Sequence, residues 1–386
     1  MARAPTAAPR TATTSRRMKV VLDEMALAAG VDVRLHTRAS AAGRDAANRL
    51  GMVITESKSG REAWAARVVV DATGDGDVAA LAGCQYDYGH PRTGETQPMS
   101  LMALLTGLRL DDVAGFVAGG ARPPGGRHAA VPPSRRYQSA TASLLGELGR
   151  AGIEPSFTAP TLWCIYEDLF ALMANHQYGV SALNADEISR ATMETRIEID
   201  RVVSGLRSLG GVWAGLRLVA TGAQLGVREG RRIHGRYRVT AADMLDGRRH
   251  HDAVCRVTSP ADIYALSAGE GGSLSRAAEE IGGPDRPSDR VRTQPYDVPL
   301  RALIARDVDG LLTAGRCISG DFFAHGSYRM TGNAVAMGQA AGVTAAIAST
   351  TRVLPHEVPW EVVQRQLESI NTVAAAGRRV PASPRA

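Results

Sequence analysis

Residues 310–342 read GLLTAGRCISGDFFAHGSYRMTGNAVAMGQAAG, and this block constrains the fold more than any other stretch of the chain. It opens with an apolar run, Leu311 to Gly315, that predicts a buried strand. A loop bearing glycine and arginine follows, and the small residues from Thr331 to Ser349 then predict a long helix. A strand ending in Ala-Gly and a helix starting in Gly-Asn both bring bare backbone close to a neighbour. A helix N-terminus also carries unpaired N–H groups and about half a positive charge. Arg329, just before that helix, adds a full charge, so the block suits an anionic ligand with a flat face. Gly338 and Gly342, four apart, predict tight packing of the helix against a sheet.

An earlier stretch, RVVVDATGDGDVAALAG, contains Gly74, Gly76 and Ala79 in the spacing G-x-G-x-x-A. A true dinucleotide-binding turn of that form is followed by a second strand with an acidic residue about 20 positions on. Residues 86–99 (YDYGHPRTGETQPM) are rich in Gly and Pro and predict a loop instead. The stretch therefore reads as a strand ending in Ala72-Thr73-Gly74, where small residues admit a ligand. Gly74 and Gly76 serve equally as positive-φ positions in a strand-to-helix turn.

Residues 1–17 (Ala, Pro, Thr and Arg) predict a disordered tail. A helix is expected from Met18, ended by Gly30, and the alternation of Val31, Val33 and Leu35 predicts a strand. LGMVITES and ARVVVDATG predict two more, joined through Lys58-Ser59-Gly60. Residues 111–135 and 268–295 are rich in Gly and Pro and predict loops. Asn184 with Glu187 forms a capping box for a helix from about Ala185 to Leu209, and Thr240 with Asp243 caps a shorter one. GLRLVAT and GVREGRRIHGRY predict strands, and residues 351–386 a final helix and a disordered tail.

The net charge of +6 invites a nucleic-acid reading, but its distribution opposes one. Four unopposed arginines lie in residues 1–17 and three in residues 374–386, leaving −1 for the body. A nucleic-acid footprint belongs on a folded face, so no nucleic-acid partner is expected. No apolar run reaches about 18 residues, so no membrane partner is expected. Ser15-Arg16-Arg17 superficially resembles a twin-arginine export signal, which needs an uncharged apolar run next to it. Asp23 and Glu24 interrupt that run, and the expectation is cytoplasmic. Cys84, Cys164, Cys255 and Cys317 lack the C-x-x-C spacing of zinc or iron–sulfur ligands, and His250-His251-Asp252 reads as a charged helix end, so no metal is expected.

Taken together, residues 310–342, KVVLDEMALAAGVDVRLHT, VVVDATGDGDVAALAG, TQPMSLMALLTG and LGVREGRRIHGRYRVTAADMLDGRR resemble the FAD-dependent oxidoreductases. That family is distantly similar to fumarate reductase flavoproteins and to heterodisulfide reductase A-like proteins. The resemblance spans roughly residues 18–350. It implies an α/β fold: an incomplete, glutathione reductase-type Rossmann-like FAD domain with an inserted α+β substrate domain. The FAD domain is expected at 18–85 and 301–350 and the substrate domain at 86–300. Cofactor contacts carry over to Thr73, Gly74, Asp75, Gly315, Arg316, Arg329, Gly332, Asn333 and Ala334. His325, Arg329, Arg228 and Arg232 are the candidates for contacts to a small substrate, since arginines beside a flavin suit a carboxylate or other anionic group.

Two departures stand out. The family opens with a strand, a G-x-G-x-x-G turn and a helix that binds the FAD pyrophosphate, and no such unit precedes Met18. Tyr264 stands in ADIYAL where relatives often have Asp-Ile-His, which puts any acid–base role there in doubt. Two functions are expected in the alternative. One is hydride or electron transfer between a small, anionic substrate and flavin. The other is an N-terminally truncated, non-catalytic remnant that does not retain FAD.

Overall fold

A computed structural model describes residues 15–120, 133–166, 168–270 and 293–377. Residues 1–14 of the expected 1–17 tail, residues 378–386 and most of the expected 268–295 loop lie outside these, while Ser15, Arg16 and Arg17 of that expected tail are helical. The structure resolves into two compact units, and its elements are numbered along the chain. The first unit comprises residues 1–34, 97–228 and 265–273, and the second comprises 35–96, 229–264 and 274–386.

The first unit is a five-stranded mixed sheet covered by helices. Its strands are β6 (Ala103–Thr106), β7 (Val117–Gly120), β8 (Thr161–Tyr166), β9 (Leu169–Met173) and β10 (Arg217–Thr221). They lie in the order β10-β6-β9-β8-β7; β7 and β8 are parallel and the other pairs antiparallel. Helices α4 (Pro133–Arg150) and α5 (Ala185–Ser208) supply Leu144, Leu148, Ala191, Ile199, Val202, Val203 and Leu206 to one apolar core with the sheet. The buried positions of α5 recur at helical spacing, and Asn184 caps it by accepting the N–H groups of Asp186 and Glu187. Where residues 111–135 were expected to be a loop, α3 (Leu110–Val113) and β7 form before residue 121, because Val113 and Val117 are drawn into the core.

Helix α1 (Ser15–Ala28) ends at Gly30, which has φ +65°. The expected VDVRL strand does not form: residues 31–35 enter no described strand ladder, and Val31 and Val33 are more than half exposed. Alternation prepares a segment for a sheet, but a strand needs a ladder partner. On α1, Met18, Leu22, Met25 and Leu27 are exposed too.

The second unit is built on several small sheets. An antiparallel meander of β1 (Arg38–Arg44), β2 (Leu50–Ser57) and β3 (Gly60–Ala65) leads into β4 (Val69–Asp71) and the short helix α2 (Asp77–Leu81). Strand β4 pairs in parallel with β14 (Leu311–Thr313), Asp71 facing Thr313. Two further antiparallel pairs join β5 (Tyr86–Asp87) to β11 (Arg232–Ile233) and β12 (Ala253–Val257) to β13 (Tyr296–Pro299). Of the expected GVREGRRIHGRY strand, Arg232 and Ile233 pair with the two-residue β5, while Gly226 and Gly235 make isolated bridges to Ser100 and Ala305. Helix α6 (Ala241–Asp246) carries the Thr240–Asp243 capping box. Helices α7 (Phe322–Tyr328), α8 (Thr331–Thr351) and α9 (Trp360–Gly377) complete the unit. In α8, Met337, Ala340, Ala341, Thr344 and Ala348 are buried. Gly338 and Gly342 do not pack against a sheet: they lie roughly 100–140° from that face, are exposed, and have no atom within 4 Å of a Cβ built on either.

Candidate functional site

The carboxyl ends of the parallel strands β4 and β14 bring together residues separated by some 240 positions. At the end of β4, Asp71 is buried and binds the turn that follows: its Oδ1 accepts the Thr73 N–H (3.0 Å) and hydroxyl (2.7 Å), and its Oδ2 accepts the Ala79 N–H. The Thr73 hydroxyl accepts the Asp77 N–H at 2.9 Å, so that side chain is engaged within the turn. Gly74 and Gly76 have φ of +83° and +66°, left-handed values that the turn reserves for glycine. Beyond β14, Gly315 has φ +85°, and a Cβ built there meets the Ala334 methyl group of α8 at 3.9 Å.

Arg316 ties the two strand ends together. Its Nη2 donates to Asp75 Oδ1 at 2.7 Å, and its guanidinium lies over Gly74, where a Cβ would stand 2.7 Å from that nitrogen. Arg231, which no sequence signal singles out, clamps the same turn from the other side. It donates to the Asp75 carbonyl (3.0 Å) and to Asp77 (2.9 Å). A cavity of about 560 Å³ opens beside it, lined by Arg38, Ala39, Ser40, Asp77, Ala80, Leu81 and Arg231.

Helix α8 starts next to Gly315. Its N-cap residue, Met330, offers no side-chain cap, and nothing stands within 4 Å of a Cβ built on Gly332. Asn333 donates weakly to the Ser327 carbonyl (3.5 Å). Arg329 is mostly buried and reaches the Asp262 carbonyl at 2.8 Å and its carboxylate at 3.4 Å. Asp262 belongs to the ADIYAL stretch, two residues before Tyr264.

His325 lies in α7, fully buried. Burial first, and then the charges of Arg232, Arg329 and Arg316, hold its pKa well below the ordinary histidine value, so the ring is neutral. Arg232 is itself buried, ion-paired with the buried Glu229, and donates to the Gly89 carbonyl at 2.9 Å. Arg228 belongs to the first unit, where it donates to the Pro98 carbonyl and approaches the Met173 sulfur. Burial raises the Cys317 thiol to about 12, so it stays protonated. Among the described residues, no group of three or more His, Cys, Asp or Glu side chains is placed to hold a metal ion.

These residues fit the flavin end of FAD: positive-φ glycines at two strand ends, an uncapped helix N-terminus, open space at Gly332 and buried arginines. The sequence matches the family described as FAD dependent oxidoreductase over residues 2–367. The chain belongs to the FAD-dependent oxidoreductase family, whose cofactor is FAD.

Among solved structures, the chain is similar to a flavin-dependent brominase triple mutant at 11% identity, covering 91% of this chain and 59% of that one, with a TM-score of 0.36. It is similar to p-nitrophenol 4-monooxygenase from Pseudomonas putida at 9% identity, covering 58% and 44%, TM-score 0.30. It is also similar to anhydrotetracycline hydroxylase from Streptomyces rimosus at 12% identity, covering 57% and 34%, TM-score 0.30. The chain thus spans less than two thirds of the length of each. No curated protein matches it. No helix among the described residues is long and apolar enough to cross a membrane.

Proposed function

We propose that the chain is an oxidoreductase that transfers hydride or electrons between a small substrate and FAD. The supporting observation is the convergence of Gly74, Gly315, Arg316 and the first turn of α8 at the carboxyl ends of β4 and β14. When bound, FAD supplies the redox chemistry, and the protein's part is to hold and orient it. On this reading residues 18–85 and 301–350 form the cofactor side and residues 86–300 the substrate side.

Thr73, Gly74, Asp75, Gly315, Arg316, Gly332, Asn333 and Ala334 line the cofactor. Gly74 and Gly315 let backbone approach it, while the Arg316–Asp75 pair fixes the spacing of the two strand ends. Arg329 and the N-terminus of α8 offset negative charge on the reduced ring. His325 and Arg232 are assigned to the substrate.

The test uses FAD-loaded protein. Arg329→Ala is expected to lower the flavin reduction potential and weaken the sulfite adduct. A variant whose potential and sulfite affinity match the wild type removes Arg329 from the site.

A further inference from the structure

Asp262 meets Arg329 twice. The guanidinium Nη2 donates to the Asp262 backbone carbonyl at 2.8 Å and to its carboxylate at 3.4 Å, across 67 residues of sequence. The two contacts do different things. The shorter one has the length of an ordinary N–H···O bond, and the longer one exceeds it. The carboxylate is also 33% exposed, so solvent screens its pull on the arginine, which is 11% exposed. The carbonyl therefore holds the guanidinium, and the carboxylate acts on it chiefly as a charge.

That carbonyl is itself held in place. The Asp262 N–H donates to the Gly326 carbonyl at 3.1 Å, and the Ser327 hydroxyl donates to the Ser259 carbonyl at 2.6 Å. Ile263, 1% exposed, lies so close over Gly326 that a Cβ there would stand 2.7 Å from its Cγ1. Residues 259–263 are thereby fastened to α7. Arg329 is the C-cap residue of α7, with its N–H donating to the His325 carbonyl at 3.2 Å, and Met330 is the N-cap of α8. The arginine thus stands at the junction of the two helices with its backbone and its guanidinium both fixed. A charge fixed in advance needs little reorganisation when opposite charge develops beside it.

A flavin beside Arg329 would not meet a full positive charge. The carboxylate on the same guanidinium offsets part of it, and how much is left depends on the side chain at position 262. We infer that Asp262 is a positioning residue for Arg329: its backbone carbonyl aims the guanidinium, and its carboxylate moderates the positive charge that acts on the reduced ring. The inference rests on the reading that places Arg329 at the flavin.

The experiment uses the FAD-loaded full chain and reads sulfite affinity and reduction potential. Asp262→Asn keeps the carbonyl and the side-chain shape and removes the charge. It is expected to bind sulfite about threefold or more tightly than the wild type, with a higher reduction potential, because more positive charge then offsets that of the ring. A loosened structure would move both the other way. Asp262→Glu keeps the charge and is expected to stay within about twofold of the wild type. Unchanged or weaker sulfite binding in Asp262→Asn, beside an Arg329→Ala variant that does weaken it, overturns the role of Asp262 and leaves Arg329 at the flavin. No effect of Arg329→Ala, or no uptake of FAD, overturns the underlying reading and this inference with it. In the chain without flavin, the losses in urea midpoint from Asp262→Asn and Arg329→Ala are expected to be non-additive in the double variant. Strict additivity would remove the contact itself.

Discussion

The Nη2 atom of Arg316 lies 2.7 Å from Oδ1 of Asp75, a contact that spans 241 residues of sequence and fastens the ends of β4 and β14 to one another. Gly74 sits under that guanidinium with φ +83°. Gly74→Ala must therefore strain the backbone and displace Arg316 together, at an expected cost of about 1–3 kcal/mol. Urea unfolding of Gly74→Ala, Arg316→Ala and the double variant checks this. The double variant should recover the steric part of the loss; strict additivity contradicts the contact.

The Glu229–Arg232 pair is buried on both sides, 0% and 2% exposed. Removing one partner leaves a charge in a dry interior, which typically costs about 3–5 kcal/mol. Glu229→Ala is expected to fall in that range by chemical denaturation. A loss below about 1 kcal/mol would mean that Arg232 finds solvent and that the interior around α7 is not dry.

His176, in the first unit, gives a pH dependence with a definite sign. Burial, and secondarily the charge of Arg228, lowers its pKa to about 3. Below about pH 6.5 the unfolded chain binds a proton that the folded chain refuses until about pH 3. Stability therefore falls as pH drops through that window, by about 1.4 kcal/mol per unit. The stability difference between wild type and His176→Gln, measured by urea unfolding at pH 6.5, 5.5 and 4.5, should shift at that rate against the wild type. Parallel profiles would contradict the burial.

Local signals in the sequence were legible because local physics sets them. The capping residues Asn184 and Thr240 start the helices they predict, and the spacing of Ala191, Ile199, Val202 and Leu206 follows one buried helix face. Residues 31–35 mislead because alternation is local whereas a ladder partner is not. Arg231 and Asp262 are hidden for a related reason. The bond of Arg231 to Asp77 spans 154 residues and that of Arg329 to Asp262 spans 67, and nothing in either neighbourhood announces the partner. Gly338 and Gly342 point to the wrong face because small size fits a close contact and an open one equally; the buried face is that of Met337, Ala340, Ala341, Thr344 and Ala348.

In the proposed site, the turn at Gly74, the strand end at Gly315 and the start of α8 together receive the flavin of FAD. Gly315→Val tests it most directly, because valine at φ +85° is strained and its side chain points toward Ala334. The measurement is equilibrium binding of added FAD to the full chain, followed by quenching of flavin fluorescence, with circular dichroism to confirm that the variant is folded. Saturable binding of one FAD per wild-type chain is expected, with at least tenfold weaker binding in a folded Gly315→Val variant. Equal affinity in the two, or no saturable binding to the wild type, would contradict it.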